Sequence, residues 1–238
     1  MMLMKPYIWS AVNVNTHGRR NLDDLKPPFI VIANHSSHLD ACLLVGALPW
    51  RLTRKLATAA AADYFFDSWY KSLSTSLFFN AFPVDRGGLR NHQGMAGMLL
   101  NDGISLLLFP EGTRTRHGAM GTFTPGAAAL SISRKVPVLP ISLVGAYAAM
   151  PYGASVPVPG RPQVHVVFGL PQEATPGESA ADFSQRLRRY IVEMHDTTAR
   201  AYGMPTQADF ARAVALRQAA TDAEHAASSL IPVAEEEP

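Results

Sequence analysis

The sequence predicts an α/β fold: one domain with a mostly parallel central sheet flanked by helices, followed by C-terminal helices. Short apolar runs of strand length alternate along the chain with longer segments of helical periodicity. The runs are uninterrupted, which is typical of strands buried on both faces. Polar clusters directly follow two of them, Phe29–Ala33 and Ile104–Leu108, at the position where open α/β sheets bind ligands.

The elements follow in chain order from these patterns. Apolar runs predict strands over residues 29–33, 56–62, 79–84, 104–108, 138–144 and 164–168. Helices are expected over residues 41–48, 67–77, 89–101 and 125–134. Two capping boxes then open C-terminal helices: one begins at Ser179 and leads into a helix with an apolar face, and the other begins at Thr206 and leads into an alanine-rich helix ending near Ala227.

Length and composition fit one main domain with a helical appendage. We expect this domain over residues 1–175, C-terminal helices over 176–227 that pack on it or extend it, and a disordered acidic tail over 228–238. The 238 residues are 47% hydrophobic and 17% charged, which supports a sizeable core. The net charge of +2 gives no reason to expect nucleic-acid binding, and the one cysteine, Cys42, excludes an internal disulfide framework.

The residues after the first run place a histidine and an aspartate five positions apart. An unperturbed imidazole has a pKa of about 6.5, so His35 could take a proton from a hydroxyl near neutral pH. A helix that starts near Ser36 or Ser37 would bring Asp40 beneath His35, where its carboxylate orients the ring. The sequence has no G-x-S-x-G elbow, and Cys42 lies in an apolar run. The pattern predicts a general base whose substrate supplies the attacking group.

Other interpretations of the His35–Asp40 block stay open. His38 and Asp40 also fit as N-terminal capping residues of the helix that follows. A metal site would require more ligands, and no further cluster of cysteine, histidine or glutamate completes a recognisable set. We therefore expect no metal.

A second polar cluster, Phe109–Arg116, follows the run that ends at Leu108. It contains a carboxylate, a glycine and two arginines, so it is a cationic, glycine-containing loop. A solvated loop is the alternative interpretation of these arginines. If the two strands are neighbours, this loop and the histidine lie at one edge of the sheet.

Taken in order, these clusters resemble the signature of the glycerolipid acyltransferase family, the lysophosphatidic acid (1-acylglycerol-3-phosphate) and glycerol-3-phosphate acyltransferases. The family's first motif is a histidine and an aspartate separated by four residues, and its third is Phe-Pro-Glu-Gly-Thr-Arg. The segments that match or resemble the four motifs are His35 with Asp40, Phe82–Gly88, Phe109–Arg114 and Val136–Ile141. The resemblance covers about residues 29 to 145.

The resemblance implies an O-acyltransferase of phospholipid synthesis with the glycerol-phosphate acyltransferase fold. A fatty acyl group would move from acyl-CoA or acyl carrier protein to a hydroxyl of a lysophospholipid such as 1-acylglycerol-3-phosphate. His35 would be the general base and Asp40 would orient it. The donor thioester is a substrate, so no bound cofactor and no acyl-enzyme are expected.

The resemblance also implies which residues bind substrate. Arg86 and Arg114 would bind the acceptor phosphate, because a guanidinium group matches two phosphate oxygens at once. Gly112 would let the backbone approach the ligand, and Thr113 would add a hydroxyl donor. Glu111 would hold the arginine or the loop in place rather than perform chemistry.

One segment departs from the family pattern. Members that act on lysophosphatidic acid commonly carry a lysine between the first two motifs, whereas Ala57–Ala62 consists of alanines and one threonine. This departure keeps open the same transfer to a non-phosphate acceptor, such as a sugar, a polyol, another lysolipid or a metabolite hydroxyl. A thioesterase and a non-catalytic lipid-binding protein are further alternatives, although the intact motifs argue against the latter.

We expect peripheral attachment to the cytoplasmic face of the cell membrane. No stretch approaches the roughly 18 to 20 apolar residues that span a bilayer, and Met1–Trp9 is too short for a signal peptide. The aromatic segment Tyr64–Tyr70 is the expected membrane-facing surface, although its side chains could also line the acyl pocket or fill the core.

The proline- and glycine-rich stretch Tyr147–Pro162 predicts a loop that flanks the acyl entrance.

Overall fold

A seven-stranded sheet organises the protein in the computed structural model, which describes residues 4–61, 81–84 and 89–229. The strands are β1 (Asn13–His17), β2 (Ile30–Ala33), β3 (Leu56–Ala61), β4 (Ala81–Val84), β5 (Ser105–Leu108), β6 (Val138–Val144) and β7 (Gln163–Phe168). Their spatial order is β1-β7-β6-β2-β5-β3-β4. Every neighbouring pair is parallel except β6 and β7. The strands β1 and β7 therefore run opposite to the other five.

Helices connect and cover these strands. They are α1 (Met4–Ala11), α2 (Asp40–Ala47), α3 (Trp50–Thr53), α4 (Leu89–Asn101), α5 (Gly126–Arg134), α6 (Ala146–Ala149), α7 (Ala180–Ala201) and α8 (Gln207–Ser229), with a 3-10 helix at Arg19–Leu22. Among the helices in the described ranges, none is long and apolar enough to cross a membrane.

Side chains alternate along β2 between two apolar clusters on opposite faces of the sheet. Ile30 and Ile32 belong to the cluster that contains Phe183 and Leu187 of α7, whereas Val31 belongs to the other. All four residues of β2 are buried. Burying one such side chain stabilises a protein by about 1.5–3 kcal/mol. Because both faces are covered, the strand requires the uninterrupted apolar run seen in the sequence.

The predicted α/β class and mostly parallel sheet are confirmed. The strand over 138–144 and the helix over 89–101 have the predicted bounds, and the other predicted elements within the described residues differ by a few residues at most. The predicted helix over 67–77 lies outside the described residues. The predicted tail begins at residue 228, but α8 continues to Ser229. The domain boundary at residue 175 falls between β7 and α7 and stays a prediction.

Three elements near the N-terminus were not predicted. The segment before β2 forms α1, then β1, which pairs with β7 at one edge of the sheet, and then the 3-10 helix at Arg19–Leu22. The sequence of β1, Asn-Val-Asn-Thr-His, has a single apolar residue and gives no strand signal. β7, which was predicted, follows β6 through α6 and a loop and pairs with it in the antiparallel direction. An antiparallel return needs no helix that crosses over the sheet, so the alternation of strands and helices does not reveal this direction.

Candidate active site

The carboxyl ends of β2 and β5 lie side by side, with Ile32 paired to Leu108. The segments that leave these strands therefore meet at one edge of the sheet. There the ring of His35 stacks on the ring of Phe109, with centroids 3.9 Å apart and planes inclined by 15°. This contact of Phe109 was not predicted, because nothing in a sequence states which strands are neighbours.

The structure brings His35 and Asp40 together. His35 Nδ1 lies 2.9 Å from Asp40 Oδ2. The same oxygen accepts hydrogen bonds from the backbone N–H groups of Ser36, at 2.6 Å, and Ser37, at 2.8 Å. Asp40 is fully buried, so its position is fixed by these three donors. Because a carboxylate oxygen only accepts, Nδ1 donates and Nε2 remains available to take a proton from a substrate.

The helix after this block begins one residue before its predicted start at residue 41. α2 begins at Asp40, not near Ser36 or Ser37, and the non-helical segment over residues 36–39, which ends in a turn, brings the carboxylate back to the histidine. Asp40 binds the N–H groups of that segment. His38 is not the capping residue, because the N-cap position of α2 is Leu39, which forms no side-chain cap.

Glu111 joins the histidine segment to the loop after β5. One carboxylate oxygen accepts a hydrogen bond from the backbone N–H of His35 and the other from that of Gly121, each at 2.7 Å. Burial raises the pKa of Glu111, and these two N–H donors oppose that shift. The carbonyl of His35 in turn accepts a hydrogen bond from Thr115 N at 2.9 Å. Of the two roles expected for Glu111, the contacts favour holding the loop over holding an arginine.

Gly112 and Thr113 occupy the turn that leads to Arg114. Gly112 has a φ of +71°, and a Cβ placed there would meet no heavy atom within 4 Å. The left-handed backbone conformation, not crowding, therefore requires glycine at this position. Thr113 is exposed on the same turn.

Arg114 lies beside a cleft that can accept a ligand. Together with His38 and the segment Tyr152–Ser155, it lines a space of about 530 Å³. Its guanidinium carbon lies 5.0 Å from the centre of the Tyr152 ring. Arg114 Nη1 is buried and has no hydrogen-bond partner among the described residues. An unpaired guanidinium nitrogen beside a cleft is suited to bind an anion.

His38 forms part of the same cleft wall. Burial, together with the nearby charges of Arg114 and His35, lowers the pKa of His38 below its usual value. The neutral form of this imidazole is therefore favoured near neutral pH. Of the predicted loop at Tyr147–Pro162, the first three residues belong to α6, and Tyr152–Ser155 line the cleft together with His38. That this loop flanks an acyl entrance stays a prediction.

Not every predicted site residue falls within the described structure. Arg86 and the aromatic segment Tyr64–Tyr70 lie outside the described residues. Arg116 is exposed, as expected, and its guanidinium carbon lies 5.5 Å from the centre of the Tyr152 ring.

Within the described ranges, no group of three or more His, Cys, Asp or Glu side chains could hold a metal ion.

Cys42 has the properties of a structural residue. Burial, with a smaller contribution from the charge of Asp40, raises the pKa of Cys42 to about 11. Its thiol is therefore protonated at neutral pH, and a thiolate is the form that attacks. This agrees with the expectation that the protein supplies no cysteine nucleophile.

Asn34 fixes the position of the histidine in a way that the sequence did not reveal. Its side-chain amide donates to the carbonyl of Leu143 at 2.9 Å and accepts from the N–H of Leu143 at 2.8 Å. These two bonds continue the pairing of β2 with β6 beyond the end of β2. The available signal was a polar residue directly after a buried strand, since a buried amide must find partners.

The first turn of α8 supports the arginine loop from the other side. Gln207 Oε1 accepts a hydrogen bond from Met120 N at 2.6 Å, and Gln207 N donates to Asp196 of α7 at 2.7 Å. The Phe210 ring closes over Gly118, where a Cβ would approach it to 2.6 Å. The C-terminal helices therefore pack on the main domain at the loop that carries Arg114.

An aspartate-oriented histidine and an arginine on the neighbouring loop have the arrangement of a general-base site in an α/β enzyme. The profile of the Acyltransferase family matches residues 13–144. This match spans more than half of the chain and includes His35, Asp40 and Arg114. The chain belongs to the Acyltransferase family.

Individual relatives are similar over parts of their length. The chain is 30% identical over 128 residues to a probable 1-acyl-sn-glycerol-3-phosphate acyltransferase of Mycoplasma genitalium, covering 52% of this chain and 47% of that protein. It is 31% identical over 179 residues to a 1-acyl-sn-glycerol-3-phosphate acyltransferase of Chlamydomonas reinhardtii, covering 74% and 51%. The chain thus spans about half the length of these curated relatives.

A solved structure shares the fold. The crystal structure of the 1-acyl-sn-glycerophosphate (LPA) acyltransferase PlsC from Thermotoga maritima superposes with a TM-score of 0.62 at 23% sequence identity. The similarity covers 79% of this chain and 72% of that one. At this level of identity the comparison supports the architecture alone.

Proposed function

We propose that the protein transfers a fatty acyl group from acyl-CoA or acyl carrier protein to the free hydroxyl of 1-acylglycerol-3-phosphate, in phospholipid synthesis. The observation that carries the proposal is the His35 ring, held by Asp40 on one side and by Phe109 on its face, next to a cleft lined by Arg114. The names of the relatives agree with this acceptor.

The chemistry is a direct transfer. His35 Nε2 removes the proton of the acceptor hydroxyl while the oxygen attacks the thioester carbonyl. Asp40 stabilises the imidazolium that forms. The tetrahedral intermediate then collapses, the carbon–sulfur bond breaks, and the leaving thiolate takes the proton from His35. The acceptor oxygen acts as the nucleophile, so no acyl group is carried by the protein.

Arg114 is proposed to bind the acceptor phosphate. Its guanidinium group can offer charge-assisted hydrogen bonds to phosphate oxygens, and its carbon lies 5.0 Å from the centre of the Tyr152 ring at the cleft. Arg86 is proposed to contribute a second cation. Gly112 and Thr113 would shape the turn that presents Arg114.

A second acceptor class is favoured by one specific observation. The strand β3 carries Ala57 and Thr58, both buried, in the segment where a phosphate-binding lysine is expected. The same acyl transfer to a hydroxyl of a lipid or metabolite without a terminal phosphate is therefore the alternative. The catalytic steps at His35 are identical in both cases.

Product analysis separates these possibilities. The purified protein is incubated with acyl-CoA or acyl carrier protein and a panel of acceptors, each offered with and without its phosphate, and products are identified by mass. The proposal expects phosphatidic acid from 1-acylglycerol-3-phosphate. Transfer only to dephosphorylated acceptors would favour the alternative, and release of free fatty acid without transfer would indicate a thioesterase.

We further propose peripheral attachment to the cytoplasmic face of the cell membrane. The acceptor is a lipid with a long acyl chain, so it resides in a bilayer, and acyl-CoA and acyl carrier protein are cytoplasmic donors. Fractionation of cells followed by a salt or carbonate wash tests this attachment.

A further inference from the structure

A loop with exposed apolar side chains borders the candidate cleft. The loop over residues 150–160, here called the valine loop, has one side on the cleft and a tip in solvent. Residues Tyr152–Ser155 line the cleft. Beyond them, Val156 is 64% exposed and Val158 is 43% exposed. Two exposed valines therefore lie on a loop whose neighbouring residues line the cleft.

The valine loop has a defined shape. Ala154 N donates to the carbonyl of Pro151 at 3.0 Å, and Val158 N donates to the carbonyl of Ala149 at 2.8 Å. The second bond closes the loop at its base, and the prolines at 157 and 159 restrict the backbone between and after the two valines. The valines are therefore presented to solvent by a constrained loop.

The charged residues in the stretch of chain that contains the loop have one sign. No aspartate or glutamate occurs from residue 112 to residue 172. Arg114 and Arg116 both lie over the Tyr152 ring, at 5.0 and 5.5 Å from its centre. Arg161 follows the loop directly, is exposed, and donates to the carbonyl of Trp9 at 3.0 Å. An apolar tip is thus bordered by cationic groups.

We propose that the valine loop inserts into the interfacial region of an anionic lipid bilayer and opens the cleft lined by His38 and Arg114 towards the membrane. Apolar side chains enter the boundary between headgroups and acyl chains, while arginine and tyrosine side chains remain at headgroup level. Because Tyr152–Ser155 belong to both the loop and the cleft, a lipid acceptor passes along the loop without crossing bulk water. This inference rests on the proposed transfer to a lipid acceptor.

Vesicle binding tests the surface directly. The probe is vesicles of phosphatidylglycerol and phosphatidylcholine, and binding is measured by sedimentation. The double variant Val156→Asp, Val158→Asp is expected to lower the partition coefficient at least about tenfold, because two apolar contacts are replaced by carboxylates that the anionic surface repels. Arg161→Ala is expected to lower it about fivefold at low salt and less at high salt.

Leu216→Asp is the matched control. Leu216 lies on α8, outside the valine loop, and is 66% exposed, close to the 64% of Val156. This variant should bind vesicles as wild type does. Thermal melting verifies that each variant is folded, and if the double aspartate variant does not fold, the single variants Val156→Ser and Val158→Ser replace it. Absence of vesicle binding by the wild type, unchanged binding by the valine variants, or an equal loss in Leu216→Asp overturns the inference.

Activity measurements separate this inference from the proposed function. With a short-chain 1-acylglycerol-3-phosphate kept below its critical micelle concentration, the valine variants should turn over like wild type. With a long-chain acceptor in vesicles, their rate should fall in proportion to binding. If the wild type acylates neither acceptor, the proposed function fails, whereas equal rates of wild type and valine variants on vesicles refute the membrane contact alone.

Discussion

The carboxylate of Glu111 accepts a hydrogen bond from the backbone N–H of His35 at 2.7 Å. The two residues are 76 positions apart in the chain. This bond, with that from Gly121 to the other carboxylate oxygen, holds the histidine segment and the arginine loop as one unit. The distance between His35 and Arg114 therefore depends on Glu111.

Glu111→Gln should impair catalysis and stability together. A glutamine amide has one acceptor and one donor group, so it cannot accept from both N–H groups through separate oxygens. A hydrogen bond to a charged group contributes about 1.5–3 kcal/mol, and a loss of this size at the transition state lowers kcat roughly tenfold to hundredfold. Steady-state kinetics and thermal melting measure both effects. Glu173→Gln is the control, because the Glu173 carboxylate is exposed. A wild-type kcat in Glu111→Gln would contradict the role of Glu111 in holding the two segments together.

His35→Ala should abolish most of the transfer activity and leave the fold intact. General-base catalysis contributes about 10²–10⁴-fold, and kcat should fall by that factor. Asp40→Asn should also be severely impaired, because an amide nitrogen facing His35 favours the wrong tautomer. His117→Ala, at an exposed histidine in the neighbouring loop, should behave as wild type. The mechanism does not survive if His35→Ala forms the acylated product, identified by mass, at the wild-type rate.

Arg114→Ala should act on the acceptor. Loss of charge-assisted hydrogen bonds to phosphate removes roughly 1.5–3 kcal/mol, which raises the acceptor KM by about one to two decades. The donor KM should change little, and Arg114→Lys should restore only part of the affinity because a point charge does not reproduce the planar fork. Arg116→Ala is the control, because the Arg116 guanidinium lies over the same Tyr152 ring as that of Arg114. An unchanged acceptor KM in Arg114→Ala, with a wild-type preference for a dephosphorylated acceptor, would reject phosphate binding.

Gln207→Ala should loosen the arginine loop from the side of α8. The variant leaves the N–H of Met120 without its acceptor, which costs about 1–3 kcal/mol for a buried donor. Because this loop carries Arg114, the acceptor KM should rise while the donor KM stays unchanged. Gln218 lies on an exposed face of the same helix, so Gln218→Ala should change neither the acceptor KM nor the donor KM. A lower melting temperature with both KM values unchanged would mean that Gln207 is structural only.

Cys42 should be dispensable for acyl transfer, and its thiol should react slowly with alkylating reagents. Its pKa is raised to about 11, so the thiolate fraction is very small at neutral pH and grows as the pH rises towards that value. The rate of alkylation should therefore keep increasing beyond pH 9, where an ordinary cysteine has already approached its plateau. Cys42→Ser should transfer acyl groups normally, and no acyl-protein adduct should form during turnover. Mass spectrometry of the protein under turnover checks this, since a stable adduct would require a different mechanism.

The strands, the helices and the contact between His35 and Asp40 could be predicted from the sequence, because they depend on residues that are close to one another in the chain. Uninterrupted apolar runs identified strands buried on both faces, and a helical period bounded α4 as observed. The spacing of His35 and Asp40 was sufficient to expect their contact, since only one turn of backbone separates them. The start of α2 was predicted to within one residue, whereas the non-helical segment over residues 36–39 was not predicted, because polar residues after a strand fit either a helical turn or an irregular segment.

Contacts between distant segments were decided by the tertiary structure alone. The stacking of Phe109 on His35 follows from the pairing of β2 with β5, and the bond from Met120 to Gln207 joins residues 87 positions apart. Periodicity reports which face of an element is apolar, but it carries no information about which element lies next to it. The sequence by itself therefore determined the contact between His35 and Asp40 and the class of fold. Packing of the sheet and of the C-terminal helices decided how the base, the arginine loop and the cleft are held together, because those bonds form only when the chain has folded.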